Sequence, residues 1–277
     1  MEAPRRRDDL HLVPLDADHP GFRDREYRRR RDAIARIALE HRPGDPVPRA
    51  PYTADEQAVW TTIWRRLGPL HLERACRELN ELQASLNLGG GPIAQLADLN
   101  AFIEPRTGYR MEPVAGLVSA REFFLALGRG VFLSTQYIRH ASRPFYTPEP
   151  DIVHEAVGHA ATLADPRIAG VNRAFGAAAE RADGRNDEDE LEHLNRAYWY
   201  TMEFGTAREG GRPKAFGAGL LSSVGEITLQ HAEAIEPWDL DRIASTPYDP
   251  TRYQPRLFAA PSVERLLGDL EDWLAAR

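Results

Sequence analysis

Apolar positions recur at three- and four-residue spacing through most of the chain, the pattern of helices that bury one face. The first stretch covers residues 22–40, with Tyr27, Ile34, Ile37 and Ala38 sampling one side. Four prolines and a glycine then make 41–51 a loop. Thr53 reads as an N-cap with Glu56 as its capping-box partner, ahead of a broad stripe of Val59, Trp60, Ile63, Trp64 and Leu67. Another helix is expected over 72–82, and Gly89-Gly90-Gly91-Pro92 breaks the chain. Helical patterns follow at 97–103, 120–133, 151–164, 169–182, 188–208, 220–234 and 262–275. Strand-like alternation is confined to 108–114 and 214–216. The pattern predicts one mostly α domain over 22–277 with a few short strands. An extended arm, marked by Pro4, Pro14 and Pro20, is expected over 1–21.

Composition changes this picture little. With 277 residues, 42% of them hydrophobic and 28% charged, the chain has the balance of a soluble globular protein. A formal net charge of −7 gives no global attraction to nucleic acid, so no nucleic-acid partner is expected. Two arginine runs, Arg5–Arg7 and Arg28–Arg31, are flanked by acids and read as a solvated tail and a charged helix face. Cys76 is the sole cysteine, which excludes an intrachain disulfide; on a helix it reads as a small buried hydrophobe. No run is long enough to span a membrane, and acids interrupt the N-terminus where a signal peptide needs an apolar core. A cytoplasmic location is the expectation. The triple glycine has no Lys-Ser/Thr behind it and reads as a turn, not a phosphate loop.

The densest chemistry lies in Pro148-Glu149-Pro150-Asp151-Ile152-Val153-His154-Glu155-Ala156-Val157-Gly158-His159. A zinc protease places two histidines four residues apart, about 40° around a helix. Here they are five apart, about 140° on an ideal α-helix. Both can reach one ion only if His154 sits in the first turn or if Gly158 lets the backbone deform. Spacing alone leaves open whether they are ligands or ordinary core and surface histidines. Downstream, Glu203 is an acid among Tyr198, Trp199, Tyr200, Met202 and Phe204. An acid in such apolar company is costly unless it is paired, protonated or bound to a cation. Two imidazoles and one carboxylate would leave the opposite face of a metal open, the arrangement suited to Fe(II) and oxygen.

Longer motifs extend this core: Gln136-Tyr137-Ile138-Arg139-His140, Tyr146-Thr147-Pro148-Glu149-Pro150-Asp151, Tyr198-Trp199-Tyr200-Thr201-x-Glu203-Phe204-Gly205, and Lys214 to Ser223. Together, in order from about Tyr27 onward, they strongly resemble the aromatic amino acid hydroxylases. The resemblance implies iron held by His154, His159 and Glu203. It implies a substrate carboxylate gripped by Arg139, with Asp151 orienting it or capping the following helix, or both. The amino acid pocket maps to Thr147, Pro148, Pro150, Trp199, Phe204, Gly219 and Ser222. Tetrahydropterin maps to Gly116, Val118, Ala120, Phe123, Glu155 and Tyr198, with Phe123 stacking and Glu155 and Tyr198 also placed as catalytic. O2 is the co-substrate; one oxygen atom ends in the phenol and the other in the pterin. Trp199 is similar to phenylalanine and tyrosine hydroxylases, and its bulk disfavours tryptophan.

The expected reaction is therefore L-phenylalanine to L-tyrosine, with meta-hydroxylation or tryptophan 5-hydroxylation as the runner-up. Pro250 stands where relatives track substrate choice, Ala120 where serine is common, and Ala156, Val157 and 160–162 where bulkier residues are common. With no regulatory domain before Phe22 and no extension beyond Arg277, a bacterial-type catalytic domain acting as a monomer is expected. A zinc hydrolase using Glu155 as base and a non-catalytic binding relative are the competing classes. A 2-oxoglutarate oxygenase fits poorly, because its carboxylate stands beside the first histidine, whereas Glu203 lies 44 residues beyond His159 (203 − 159).

Overall fold

The computed structural model describes residues 12–147 and 149–277. The N-terminal arm before residue 12, with its first arginine run, and Pro148 lie outside the described residues. From residue 12 the chain turns onto α1 (Arg25–Glu40), where the Leu12 and Val13 amides donate to Asp32 and Val13 and His19 are buried. The second arginine run is only partly a solvated face. Arg31 is buried, clasps Glu149 with both terminal nitrogens (2.5 and 3.1 Å) and lies 3.8 Å over the Tyr137 ring.

The helical expectation holds across most of the molecule. The Thr53–Glu56 capping box starts α2 (Ala54–Arg74), which runs through Pro69, so the break precedes α3 (Arg77–Leu86) rather than Leu72. Next come α4 (Leu96–Thr107), β1 (Arg110–Pro113) and α5 (Ala120–Gly128). The expected helix over 120–133 ends at Gly128: Gly130 takes a left-handed φ of +74° and turns the chain into β2 (Val131–Ser134). β2 pairs in parallel with β1, Arg110 opposite Val131 through Pro113 opposite Ser134.

Two expected α-helices are built differently at the chemically interesting points. Residues 151–164 become a π-turn, π1 (His154–Ala160), running into the short α6 (Ala161–Leu163). After α7 (Pro166–Gly184), capped by Asp165, the stretch 188–208 divides into α8 (Glu188–Tyr198), π2 (Trp199–Glu203) and β3 (Thr206–Glu209). β4 (Arg212–Ala215) folds back on β3. The helix expected over 220–234 is absent. In its place are α9 (Ala218–Leu221), a 3-10 turn (Glu226–Thr228) ended by Leu229 at φ +59°, and β5 (Ala234–Pro237). α10 (Leu240–Ser245), β6 (Arg256–Ala260) and α11 (Val263–Ala275) complete the chain. The second sheet has strand order β4-β3-β6-β5, with β3 and β5 each parallel to β6.

One continuous apolar core, from Val59 and Trp60 on α2 to Leu274 on α11, joins most of the elements and includes Ala156, Val157 and Ala160 of π1 and Met202 of π2. Cys76 is fully buried in it, and burial pushes its thiol up, as a small hydrophobe. No described helix is long and apolar enough to cross a membrane.

Candidate active site

The five-residue histidine spacing is resolved by backbone form. A π-helix closes i→i+5 hydrogen bonds, so residues five apart return to one face after about one turn. In π1 this brings His154 and His159 together, their Nε2 atoms 2.9 Å apart. His154 also sits within the first turn, so both routes by which the spacing could serve one ion are taken. Gly158 makes the turn fit: a Cβ there would lie 2.7 Å from Ala218 Cβ and 2.8 Å from its carbonyl oxygen.

Glu203 reaches the same point from π2. The Phe204 amide donates to Trp199 O at 2.8 Å, the five-residue bond that swings the end of α8 inward. Glu203 Oε1 lies 3.1 Å from His159 Nε2, and Oε2 lies 3.4 Å from His154 Nε2. Gly217 presses its backbone on Glu203, where a Cβ would stand 2.3 Å from the Glu203 carbonyl. Two nitrogens and a carboxylate thus face one point.

Electrostatics suit a cation there. Burial holds His154 down to about 4, against the pull of Glu203, so the ring is neutral at ordinary pH. Burial opposes charge on Glu203, but His159 and His154 outweigh it and keep the carboxyl low. His159 is penalised by burial and raised on balance by Glu203. Ser222 selects the His154 tautomer. Its hydroxyl donates to Gly219 O (3.3 Å) and accepts from His154 Nδ1–H (3.1 Å), leaving Nε2 with a free lone pair. The donor set fits a borderline divalent metal that keeps open positions.

Around this point the other expected residues divide. Arg139, 3% exposed, donates from Nε (2.9 Å) and Nη2 (2.7 Å) to Asp151 and from Nη1 to Ser222 O (3.2 Å). Asp151 also accepts from the His154 amide at 3.2 Å, so it orients the arginine and caps the helix at once. Three of five guanidinium N–H groups are thereby used, leaving one on each terminal nitrogen. Trp199 is stacked on Tyr248 (4.1 Å, 11°) and tilted against Phe204 (4.6 Å), and Gln254 accepts its indole N–H at 3.1 Å. Gly219 leaves room for the Phe204 ring, which would be 2.5 Å from a Cβ. Thr147 and Pro150 are half-buried, and Pro150 O lies 3.2 Å from Thr135 Oγ1. Glu155 Oε1 accepts from the Thr135 amide and hydroxyl, both at 3.0 Å, and burial pushes its carboxyl up to about 7.

On another side Phe132 lies 4.5 Å from the His159 ring, and Phe123 packs edge-on to Phe132 (5.5 Å) and Tyr198 (5.4 Å). Gly116 and Val118 are half-buried, and Ala120 is exposed. The Tyr198 hydroxyl donates to Asn172 at 3.0 Å, and burial raises it well above its ordinary range. Sequence reasoning did not single out Thr135, Asn172, Tyr248 or Gln254. Each acts through a partner distant in sequence, which no local spacing announces.

Two histidines and one carboxylate face one point from two π-turns, and comparison with known proteins gives the class to which the chain belongs. The description of biopterin-dependent aromatic amino acid hydroxylases matches residues 11–276. The chain belongs to that family. It is 45% identical over 254 residues to dog tyrosine 3-monooxygenase, covering 90% of this chain and 50% of that one. It is 43% identical over 267 residues to the Caenorhabditis elegans phenylalanine-4-hydroxylase, covering 94% and 58%. The chain thus spans about half the length of the curated relatives it matches. Among solved structures, Chromobacterium violaceum phenylalanine hydroxylase with bound iron(III) and 7,8-dihydrobiopterin superposes with a TM-score of 0.76 at 28% identity, covering 96% of this chain and 94% of that one. The Legionella pneumophila enzyme gives 0.72 at 29% identity, covering 82% and 92%.

Proposed function

We propose that this chain hydroxylates L-phenylalanine to L-tyrosine, using O2, a tetrahydropterin and iron(II) held by His154, His159 and Glu203. The observation that carries the reading is the convergence of His154 Nε2, His159 Nε2 and both Glu203 oxygens on one point. When bound, iron and the reduced pterin supply the oxygen chemistry, one oxygen atom going to the substrate ring and the other to the pterin. The protein's own share is binding, orientation and proton control. Arg139, braced by Asp151, offers its two remaining N–H groups to the substrate carboxylate. Thr147, Pro150, Trp199, Phe204, Gly219 and Ser222 bound the amino acid; Pro148 belongs to the same proposed wall.

Gly116, Val118, Ala120, Phe123 and Tyr198 are proposed for the pterin, with Phe123 as the ring it stacks on. Glu155 joins them: Thr135 holds its Oε1, and its acid form persists to about pH 7, so it can exchange a proton with that cofactor under working conditions.

Phenylalanine is favoured over tryptophan because the Trp199 wall is fixed from three sides by Tyr248, Phe204 and Gln254, leaving little freedom to admit a second indole. Tyrosine 3-hydroxylation is a second reading, supported by the 45% identity to dog tyrosine 3-monooxygenase. Against it, Pro250 carries neither charge nor donor for a ring hydroxyl. Aerobic incubation with iron(II), tetrahydropterin and each aromatic amino acid separates these readings. Chromatography should show para-tyrosine from phenylalanine as the fastest reaction. Mostly meta-tyrosine, or faster use of tyrosine or tryptophan, would reject the substrate assignment.

A further inference from the structure

A buried polar chain ties π1 from behind to the end of α9, next to Ser222. Gln83 on α3 donates through Nε2 to Val157 O, in the turn between His154 and His159, at 2.9 Å. Its Oε1 meets His71 Nδ1 on α2. His71 Nε2 meets Leu221 O, next to Ser222, at 2.7 Å. Both side chains are buried, His71 at 3% and Gln83 at 6% exposure.

The donors and acceptors in this chain do not balance for a neutral histidine. Val157 O and Leu221 O at the two ends can only accept. Gln83 brings one donor end and one acceptor end, and a neutral imidazole also brings one of each. Two such links between two acceptors always leave one junction where acceptor faces acceptor. Turning the Gln83 carboxamide over moves the mismatch to Val157, and changing the His71 tautomer moves it to Leu221 or Gln83; neither removes it. An imidazolium, with N–H on both nitrogens, completes every junction.

We propose that His71 is a positioning residue whose proton closes this chain and so fixes π1 and the Leu221–Ser222 segment relative to each other. Among the described residues, no carboxylate neutralises it. Burial lowers the proton affinity of the ring below that of a free imidazole, and the contacts to Leu221 and Gln83 offset only part of this. The Trp64 ring lies 5.8 Å away on the same helix, and Asn80 on α3 donates from Nδ2 to the His71 carbonyl. The chain therefore has one open junction at neutrality and is completed only as pH falls below the range of a free imidazole. His71 and Gln83 help line a hollow of about 790 Å³ between α2, α3 and the Gly89–Gly91 loop. Any effect of this chain on iron affinity rests on the ligand reading above; its effect on the backbone does not.

Amide hydrogen exchange of residues 157–162 reads the chain directly. It would be measured on the wild type, His71→Phe and Gln83→Leu, iron-loaded and iron-free, between about pH 4.5 and 8. Taking the ratio of wild type to variant at each pH cancels the intrinsic pH dependence of exchange. Wild-type protection relative to either variant should rise about fivefold toward the acid end, the worth of one recovered hydrogen bond. A ratio above one but independent of pH would mean a purely structural role, and a ratio near one throughout would mean no link; either overturns the proposal. Should His71→Phe fail to fold, the comparison with Gln83→Leu decides alone. Failure to bind iron would reject the proposed activity while the iron-free exchange still tests His71.

Discussion

Arg139 and Asp151 form a buried ion pair in which each partner has a second duty, the arginine holding Ser222 O and the aspartate capping the helix of His154. A lysine at 139 keeps the charge and loses the planar fork, so it cannot meet Asp151 and a substrate carboxylate together. Arg139→Lys should weaken phenylalanine binding by about 1.5–3 kcal/mol, measured by calorimetry, with iron content unchanged. Unaltered affinity would place the carboxylate anchor elsewhere. Gln254 makes a similar case for the ring wall. It accepts from Trp199 and donates to Asp249 O (2.9 Å) and Arg252 O (2.8 Å), so it ties the indole to the loop carrying Pro250. Gln254→Leu should free the indole and narrow the preference for phenylalanine over tryptophan by roughly tenfold in kcat/KM, within the ~1–3 kcal/mol by which apolar pockets discriminate. That effect should vanish in a Trp199→Phe background, where no indole N–H remains to be held; an equal effect there would show that Gln254 acts by another route.

At the level of elements, the site depends on two π-turns. Glu203 stood out in the sequence as an acid in apolar company, while the two histidines stayed ambiguous by spacing and were joined to it by the family resemblance. The backbone that unites them was not legible. Periodicity analysis presumes 3.6 residues per turn, and on that presumption His154 and His159 diverge by about 140°. The only local hint was Gly158, whose need is set by Ala218, far along the chain. The strands were hard to see for a related reason: β3, β5 and β6 are four or five residues long and pair across long sequence separations. Gly158→Ala tests the π-turn itself. The added methyl cannot fit against Ala218 without moving π1 or α9, and should destabilise the protein by about 1–3 kcal/mol in urea unfolding while also lowering iron affinity. Full stability with full iron content would show that π1 tolerates displacement.

Over the whole molecule, stability should carry the mark of buried acids beyond Glu203 and Glu155. Glu226 is 4% exposed, and burial pushes its carboxyl up to about 7, against the hydrogen bonds from the Gln254 amide and Ser223. A folded value above the unfolded one means the proton is bound more tightly in the native state. The associated stability is complete below the unfolded value near 4.5 and is lost as pH rises through about 7. Glu226→Gln, which stays neutral, should therefore match the wild type near about pH 5 and exceed it by about 2 kcal/mol near about pH 8.5. A stability difference that does not change with pH would show that Glu226 is ionised in the fold throughout. Overall architecture was the most legible level, since amphipathic stripes summed over many helices outweigh errors at their ends; the helix expected over 220–234 failed because Ser222, Ser223 and Gly225 favour turns.

The most direct test of the account is the fate of oxygen. The iron-loaded protein would be given L-phenylalanine and tetrahydropterin under isotopically heavy O2, and the amino acid product examined by mass spectrometry, with Glu203→Ala in parallel. The product should be para-tyrosine carrying one heavy oxygen atom, and the Glu203→Ala protein should remain folded but neither hold iron nor form product. Oxygen drawn from water, product formed without iron, or undiminished turnover in Glu203→Ala would contradict it.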